Sequence, residues 1–552
     1  MTRSLRSLLL LSLSFIAACA GNDASGDAPH TSHAAGDTTA RLEDNLGSYR
    51  RDITTASDSA EAFFNQGLRL EYAFNHERAL RSYETALRED STCAMCWWGI
   101  ALASGPNINA PMTQDGGATA LRAIKNAARL DSGATSLERQ LIGALGKRYD
   151  ETDVTQNRAK LDSAYANAMA GVARANPSDP DVLTLYGAAL MNLSPWNYWD
   201  GPYARRTPRA GTAKILETLE RAVSLAPTNP GACHYYIHAV EAGHPAKALP
   251  CAERLASLMP GAGHLVHMPG HIYIRVGRYH DAVRLNEHAV HADESGIRDQ
   301  VGSGLYAGAY YPHNYHFMAF AATMAGIEST AVKASRTVAP RVPFTVARDV
   351  PWIQNAVVLP QLTHVTFGRW QAVLADSLPS TELTDAHVLA RYARGVAHAA
   401  LGDTARARDV LASLDADLSK LPRDPAARPL VHIARRALAG EIALRTGRPA
   451  DAVREFRQAA AIEDALLYDE PPLWYYPIRH SLGRALLEAG RAAEAEVVYR
   501  EDLDRFPENG WSLFGLSQSL RAQKKTNEAE AVSRRFGTAW AHADVVLTAS
   551  RF

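Results

Sequence analysis

Eleven of the 20 histidines of this 552-residue chain fall between His234 and His316. In Cys233-His234-Tyr-Tyr-Ile-His238-Ala-Val-Glu241, the residues His234, His238 and Glu241 stand at i, i+4 and i+7, which puts all three on one helical face. His264, His267 and His271 follow at i, i+3 and i+7, then His313 and His316 at i and i+3. Neutral imidazoles with one carboxylate are the donor set that Zn, Cu, Fe or Ni takes, so these eight residues are the candidate ligands of a transition metal. His234 is followed by Tyr235, and no Glu stands where a zinc protease of the H-E-x-x-H type needs one. A cluster of this kind also titrates near pH 6–7, which allows charge-dependent ligand binding without a metal.

A second group of candidates is aromatic or amide-bearing. Trp196, Trp199, Tyr311 and Trp474 sit in Pro- and Gly-rich stretches, and flat amphipathic rings there suit a sugar or a peptide. The same rings suit filling the gaps that irregular helices leave. Asn107 and Asn109 lie in a Gly-Pro-Asn-Ile-Asn turn from which their amides could reach a ligand. No Walker A loop, G-x-S-x-G elbow or dinucleotide fingerprint occurs, so no familiar ATPase, hydrolase or dehydrogenase chemistry is indicated. The cysteines Cys93 and Cys96 are i,i+3 on an expected helix, where a disulfide needs local distortion. They are therefore expected as packing thiols. Trp97 follows them, which excludes a c-type haem attachment.

The elements that carry these groups are helices. After residue 58 nearly every segment has a 3.6-residue apolar period, and strand-like alternation is scarce. The pattern Gly-x2-large-x8-Ala-x3-aromatic-x2-Ala recurs: Gly67, Leu70, Ala79, Tyr83 and Ala86; Gly440, Ala452, Phe456 and Ala459; Gly483, Leu486, Ala495 and Tyr499. Small residues at these places let the two helices of a hairpin approach closely. This pattern, with its period near 34 residues, resembles the tetratricopeptide repeat. The resemblance covers most of residues 60–545, with longer spacings where loops or lengthened helices intervene. It implies an all-α fold: a right-handed superhelical solenoid of antiparallel helix pairs, with irregular loop insertions, whose first helices line a concave groove. It also implies that places two, five and nine of each first helix face that groove. His264 and His313 take the second place, His267 and His316 the fifth, and His271 the ninth. His234 and His238 fall at six and ten, one residue off.

The beginning of the chain reads as an export signal. Arg3 and Arg6 precede an apolar run, Leu8 to Ile16, too short for a permanent membrane span. Ile16-Ala17-Ala18-Cys19 resembles a bacterial lipobox, which implies lipidation at Cys19. The expected organisation is a signal at 1–18, a flexible tether at 19–57, an irregular repeat region with the histidine groove at 58–380, and more regular repeats at 381–552. Residues 20–57 are rich in Ala, Gly, Asp, Ser and Thr, too polar to order themselves by burial. Net charge is −1 and no long basic run occurs, so nucleic-acid binding has no electrostatic support. The expected function is that of a scaffold in the cell envelope, attached by its lipid at the outer membrane or periplasmic face. It binds a protein, peptide or small-molecule partner in its groove, beside a histidine-rich metal site. The competing expectations are a metal-dependent envelope enzyme of unspecified reaction and a glycan or small-molecule binder.

Overall fold

The computed structural model describes residues 39–151, 155–201, 206–299, 306–350, 353–419 and 428–552. The fold is all-α and built from antiparallel helix hairpins, with one two-residue strand pair, Trp199–Asp200 against Thr207–Pro208. Among the described residues, no helix is long and apolar enough to cross a membrane. The chain gathers into two compact units. One holds the residues through Asp200 with Thr207–Pro269 and His291–Tyr306; the other holds Gly201–Arg206, Gly270–Val290 and Ala307–Phe552.

In the first unit the hairpins pair Asp58–Tyr72 with His76–Glu89, Ala94–Ala103 with Gln114–Leu130, Ser136–Leu145 with Arg158–Ala175, Pro180–Met191 with Thr212–Leu225, and Pro230–Val240 with Leu249–Leu258. First helices touch first helices, and Asp58–Tyr72 also meets Pro230–Val240, so this stack curls back on itself. Gly231 makes that meeting possible: a Cβ there would stand 2.5 Å from the Tyr72 ring. Residues 39–57, expected within the tether, lie along these helices. Leu46 is fully buried, the Arg51 guanidinium holds Asp179 and Asp181 at 3.1 Å, and Thr54 donates to Glu138. Composition made this stretch look unable to order itself. The carboxylates and amides that order it belong to helices far along the chain.

The second unit repeats the plan with Tyr311–Ala325 and Glu328–Val338, Thr384–Ala400 and Thr404–Leu418, Pro429–Arg445 and Pro449–Asp464, Ile478–Glu488 and Ala492–Arg505, and Gly510–Ala522 and Thr526–Ala539. The small-residue pattern does what its chemistry predicts. Gly67 and Gly99 flank the Tyr83 ring, Gly440 faces Phe456, and Gly483 and Gly515 flank Tyr499. The short hairpin turns close with a backbone N–H bonded five residues back, as in Arg448 to Ala443 and Arg491 to Leu486. The residue before that N–H is left-handed: Gly277, Gly326, Gly368, Gly402, Gly447 and Gly490, with φ between 67° and 84°, and Lys524 at φ 64°.

Candidate functional site

The first unit brings three of the eight histidine-group residues onto one point. His234 and His238 are one helical turn apart on Pro230–Val240, and His264 is on the short helix Gly263–His267. One ring nitrogen from each lies within 4.8 Å of the others, and all three side chains are buried. The His234 Nδ1 is 2.6 Å from the backbone carbonyl of Tyr72. A carbonyl can only accept, so the imidazole proton sits on Nδ1 and the lone pair stays on Nε2. The His238 Nδ1 is 3.3 Å from the carboxylate of Glu241, itself 1% exposed, which fixes the same tautomer there. Nδ1–H held by a carbonyl or carboxylate, with Nε2 turned inward, is how metal-binding histidines are oriented. Four-coordinate zinc at about 2.1 Å from each nitrogen would set them about 3.4 Å apart, within reach of a small rotation of these rings. The residues present therefore fit a transition ion, with Glu241 as an orienting group and not a ligand of this trio.

The helix carrying His264 is held from behind. Tyr306 accepts from the His264 backbone N–H at 3.0 Å and donates to Asp293 at 2.8 Å. Burial together with that carboxylate pushes the Tyr306 hydroxyl well above its ordinary pKa, so it remains a donor. Asp293 in turn lies against Gly263, where a Cβ would meet its carboxylate at 2.0 Å. The disulfide Cys233–Cys251 fixes the start of the His234 helix to its hairpin partner.

Two aromatic residues border the trio, and both have left-handed backbones. Phe74, at φ 55°, stands in the hairpin turn, where six of the turns above have glycine. The bond from Asn75 N–H to the Leu70 carbonyl shows that the turn type is the same. Its ring lies 4.4 Å from that of His234, 5.7 Å from His264 and 6.0 Å from His238. A bulky side chain at positive φ costs of order 1–2 kcal/mol and persists only where its surroundings require it. Trp196, at φ 63°, meets His238 edge-on at 5.0 Å and is 40% exposed, so its ring lies between the buried cluster and the surface.

His267 is buried in the same unit, its ring 5.9 Å from that of His264. The expected single helix through His264, His267 and His271 is broken at Met268. Pro269 lacks an N–H and cannot continue the hydrogen-bond ladder, so a new segment, Pro269–Arg275, begins there. His271 belongs to the second unit and pairs with Glu470 at 2.8 Å; the Arg275 guanidinium lies 3.7 Å from the same carboxylate. His313 is 5.8 Å from His271, ring to ring. Desolvation pushes the His316 imidazole down to about 4, so it is neutral at ordinary pH.

Most of the proposed ligand-binding residues are structural. Trp199 is buried, donates to the Ala239 carbonyl at 2.8 Å and covers Gly243. Trp474 is buried among Tyr392, Tyr475 and Tyr476, and Tyr311 stacks edge-on with Tyr315 beneath Arg341. Asn107 is buried beside His76 and accepts from the Asn109 N–H, which closes their turn. Trp196 is the one of these six that borders the histidine trio. Cys93 and Cys96 are joined as a disulfide, against expectation. Cys93 is the extended residue before the helix Ala94–Ala103, not part of it, and that removes the geometric objection. Cys19 lies outside the described residues. Tyr72, Phe74, Asp293 and Tyr306 were missed. For Phe74 a signal existed: it stands five residues before Ala79, just as Gly277, Gly402, Gly447 and Gly490 precede Ala282, Ala407, Ala452 and Ala495.

Comparison with known proteins agrees with the repeat architecture. The tetratricopeptide repeat model matches residues 388–413 and 477–501. A search of curated proteins finds no match. Similar solved structures include human IFIT1 dimers, one with m7Gppp-AAAA (13% identity over 88% of this chain and 90% of that one, TM-score 0.29) and one with PPP-AAAA (13% identity over 87% and 90%, TM-score 0.31). Another is the APC/C hetero-tetramer Cut9–Hcn1, at 14% identity over 89% and 76%, TM-score 0.29. The chain carries tetratricopeptide repeats within an all-α helical-repeat fold.

Proposed function

We propose that this protein is an exported, lipid-anchored repeat scaffold that holds a transition metal at His234, His238 and His264 and binds a ligand or partner beside it. The observation that carries the reading is the convergence of three buried imidazoles, two of them with Nδ1 fixed by Tyr72 and Glu241. An all-nitrogen trio suits zinc or copper, with iron or nickel as further choices. The four cysteines of the folded body are paired with one another, which leaves no thiolate to compete. Three protein ligands leave a coordination position for a ligand group, as in zinc sites that bind or activate a small molecule. Trp196 is the side chain on which such a ligand would rest. Placement at the envelope is supported by the apolar run and lipobox-like Ile16-Ala17-Ala18-Cys19 of the sequence.

The test is elemental analysis of the protein purified without a histidine tag and reconstituted with each ion in turn. Near-stoichiometric metal is expected. It should disappear in the His238→Ala/His264→Ala variant while helical circular dichroism persists. No bound Zn, Cu, Fe or Ni under any reconstitution would overturn the metal site and leave a scaffold whose histidines serve packing.

A further inference from the structure

The second unit contains a site independent of the histidine trio and of the reading built on it. After the helix Thr526–Ala539 the chain folds back without further helix. Asp544 accepts from the backbone N–H groups of Glu328 and Ser329 at 2.5 and 2.9 Å. Ser550 donates to the His480 carbonyl at 2.9 Å, and its hydroxyl pairs with that of Tyr499 at 2.6 Å. Arg551 is buried, donates to the Tyr475 hydroxyl at 3.2 Å and lies over the Tyr476 ring at 3.8 Å. Arg484 donates to the main-chain oxygens of Arg551 and Phe552 at 3.3 and 3.0 Å. These bonds make the segment a fixed wall.

The wall closes a cavity of about 420 Å³ between the turn Phe367–Trp370, the end of the helix Pro429–Arg445 and the helix Ile478–Glu488. Four arginines line it: Arg369, Arg445, Arg484 and Arg551. Three side-chain carboxylates answer them, beside the Phe552 oxygen that Arg484 meets. Glu328 pairs with Arg369, Glu488 with Arg484 at 2.9 Å, and Glu441 stays 3.9 Å from Arg445. Arg551 is met by a carbonyl, a hydroxyl and two rings, and among the described residues no carboxylate pairs with it directly. The Arg445 Nε is buried without a hydrogen-bond acceptor among the described residues, and leaving a charged donor unpaired is costly. Burial lowers the Arg445 pKa, against the pull of Glu441 and with a further push from the neighbouring Arg484. Phe367, Trp370 and Phe552 supply apolar wall beside the cations.

We infer that this cavity binds a small organic anion, a phosphate or carboxylate head on the arginine face with a flat apolar body against Phe367, Trp370 and Phe552. The volume is that of a small-molecule pocket, and guanidinium groups are suited to planar or bidentate recognition of such heads. An anion between Arg445 and Arg484 would supply the missing acceptor and relieve the repulsion between the two cations.

Titration calorimetry on the full chain tests this with phenyl phosphate, inorganic phosphate and benzoate, and with phenol as the neutral counterpart. Phenyl phosphate is expected to bind saturably at one per chain and more tightly than inorganic phosphate, quenching or shifting tryptophan emission through Trp370; phenol should give no saturable heat. Arg445→Gln should weaken phenyl phosphate about tenfold or more. Arg369→Gln, at an exposed guanidinium, should weaken it severalfold, with circular dichroism checking that the fold is kept. Absence of saturable binding by all three anions overturns the inference. So does an affinity unchanged in both variants, or phenol binding as well as phenyl phosphate.

Discussion

Replacing Phe74 by glycine separates two opposing effects at one residue. Its backbone is left-handed, φ 55°, and six of the equivalent turns use glycine. Phe74→Gly therefore relieves about 1–2 kcal/mol of strain, of which about 0.4–1 kcal/mol is returned because glycine frees the unfolded chain. The ring, however, is only 3% exposed and packs on His234, His238, His264 and Tyr235. Deleting a buried phenyl ring costs about 3–5 kcal/mol. The balance is a loss of about 3 kcal/mol for the first unit, or roughly 6–12 °C in its melting temperature at about 2–4 °C per kcal/mol. Lys524→Gly is the matched control. Lys524 occupies the same turn position at φ 64° with an exposed side chain, so the relief there comes without loss of packing, and the variant should be about 0.5 kcal/mol more stable. Thermal and urea unfolding followed by circular dichroism reads both. A Phe74→Gly protein that melts at or above wild type would refute the reasoning, because the strain would then have no packing to sustain it.

Three further outcomes follow from particular contacts. Glu241→Gln keeps the shape of the group that holds His238 Nδ1 but removes its charge, so metal affinity measured against a competing chelator should fall about 10–100-fold; unchanged affinity would mean that this contact orients nothing. At Gly483 an added Cβ would stand 2.3 Å from the fully buried Tyr499 ring, whereas at Gly537 it meets nothing within 4 Å. Gly483→Ala should therefore destabilise by about 1–3 kcal/mol and Gly537→Ala stabilise by about 0.5–1 kcal/mol in urea unfolding, and the opposite order would refute the packing account. Desolvation raises the Glu463 carboxyl to about 7 from 4.5, against the opposing pull of Arg505 and Arg479. The folded chain then binds more protons than the unfolded one between those values, so this group's contribution is present below pH 4.5 and is lost as pH rises through 7. Glu463→Gln removes the loss, and Arg505 still has Asp464 at 3.3 Å. The variant's stability advantage should grow with pH to about 3 kcal/mol at most by pH 8; a pH-independent difference would contradict the assignment.

The hairpin architecture was legible because it is written in local spacing. Gly67 and Tyr83, Gly440 and Phe456, and Gly483 and Tyr499 are paired in sequence at the interval that pairs them in space. His234 and His238 were legible for the same reason, being one turn apart on a single helix. His264 joins them through the approach of helices distant in sequence, and periodicity carries no information about that approach. The break at Pro269 was readable from the residue type, yet the i,i+3,i+7 spacing of His264, His267 and His271 suggested an unbroken helix. Aromatic density misled for a similar reason. Trp199 has its partner in Ala239 and Trp474 one of its ring partners in Tyr392, 40 and 82 positions away by residue number, so that part of their burial was invisible locally.

A repeat scaffold offers the same surface many times over, and a site must be made by departing from the repeat. The first unit departs from it at each wall of the histidine trio. Phe74 puts a buried ring at a turn position that is mostly glycine, Trp196 adopts a backbone that suits glycine in the loop between two helices, and the helix carrying His264 stops after five residues. Gly231 replaces bulk with its absence, so that the helix bearing His234 and His238 reaches the first helix and its Tyr72 carbonyl. Each departure has a local cost, in strained φ or in a shortened hydrogen-bond ladder, that packing of the repeat alone does not call for. Their coincidence around three imidazoles is the physical argument that this corner of the scaffold is shaped for a ligand and the regular hairpins are not.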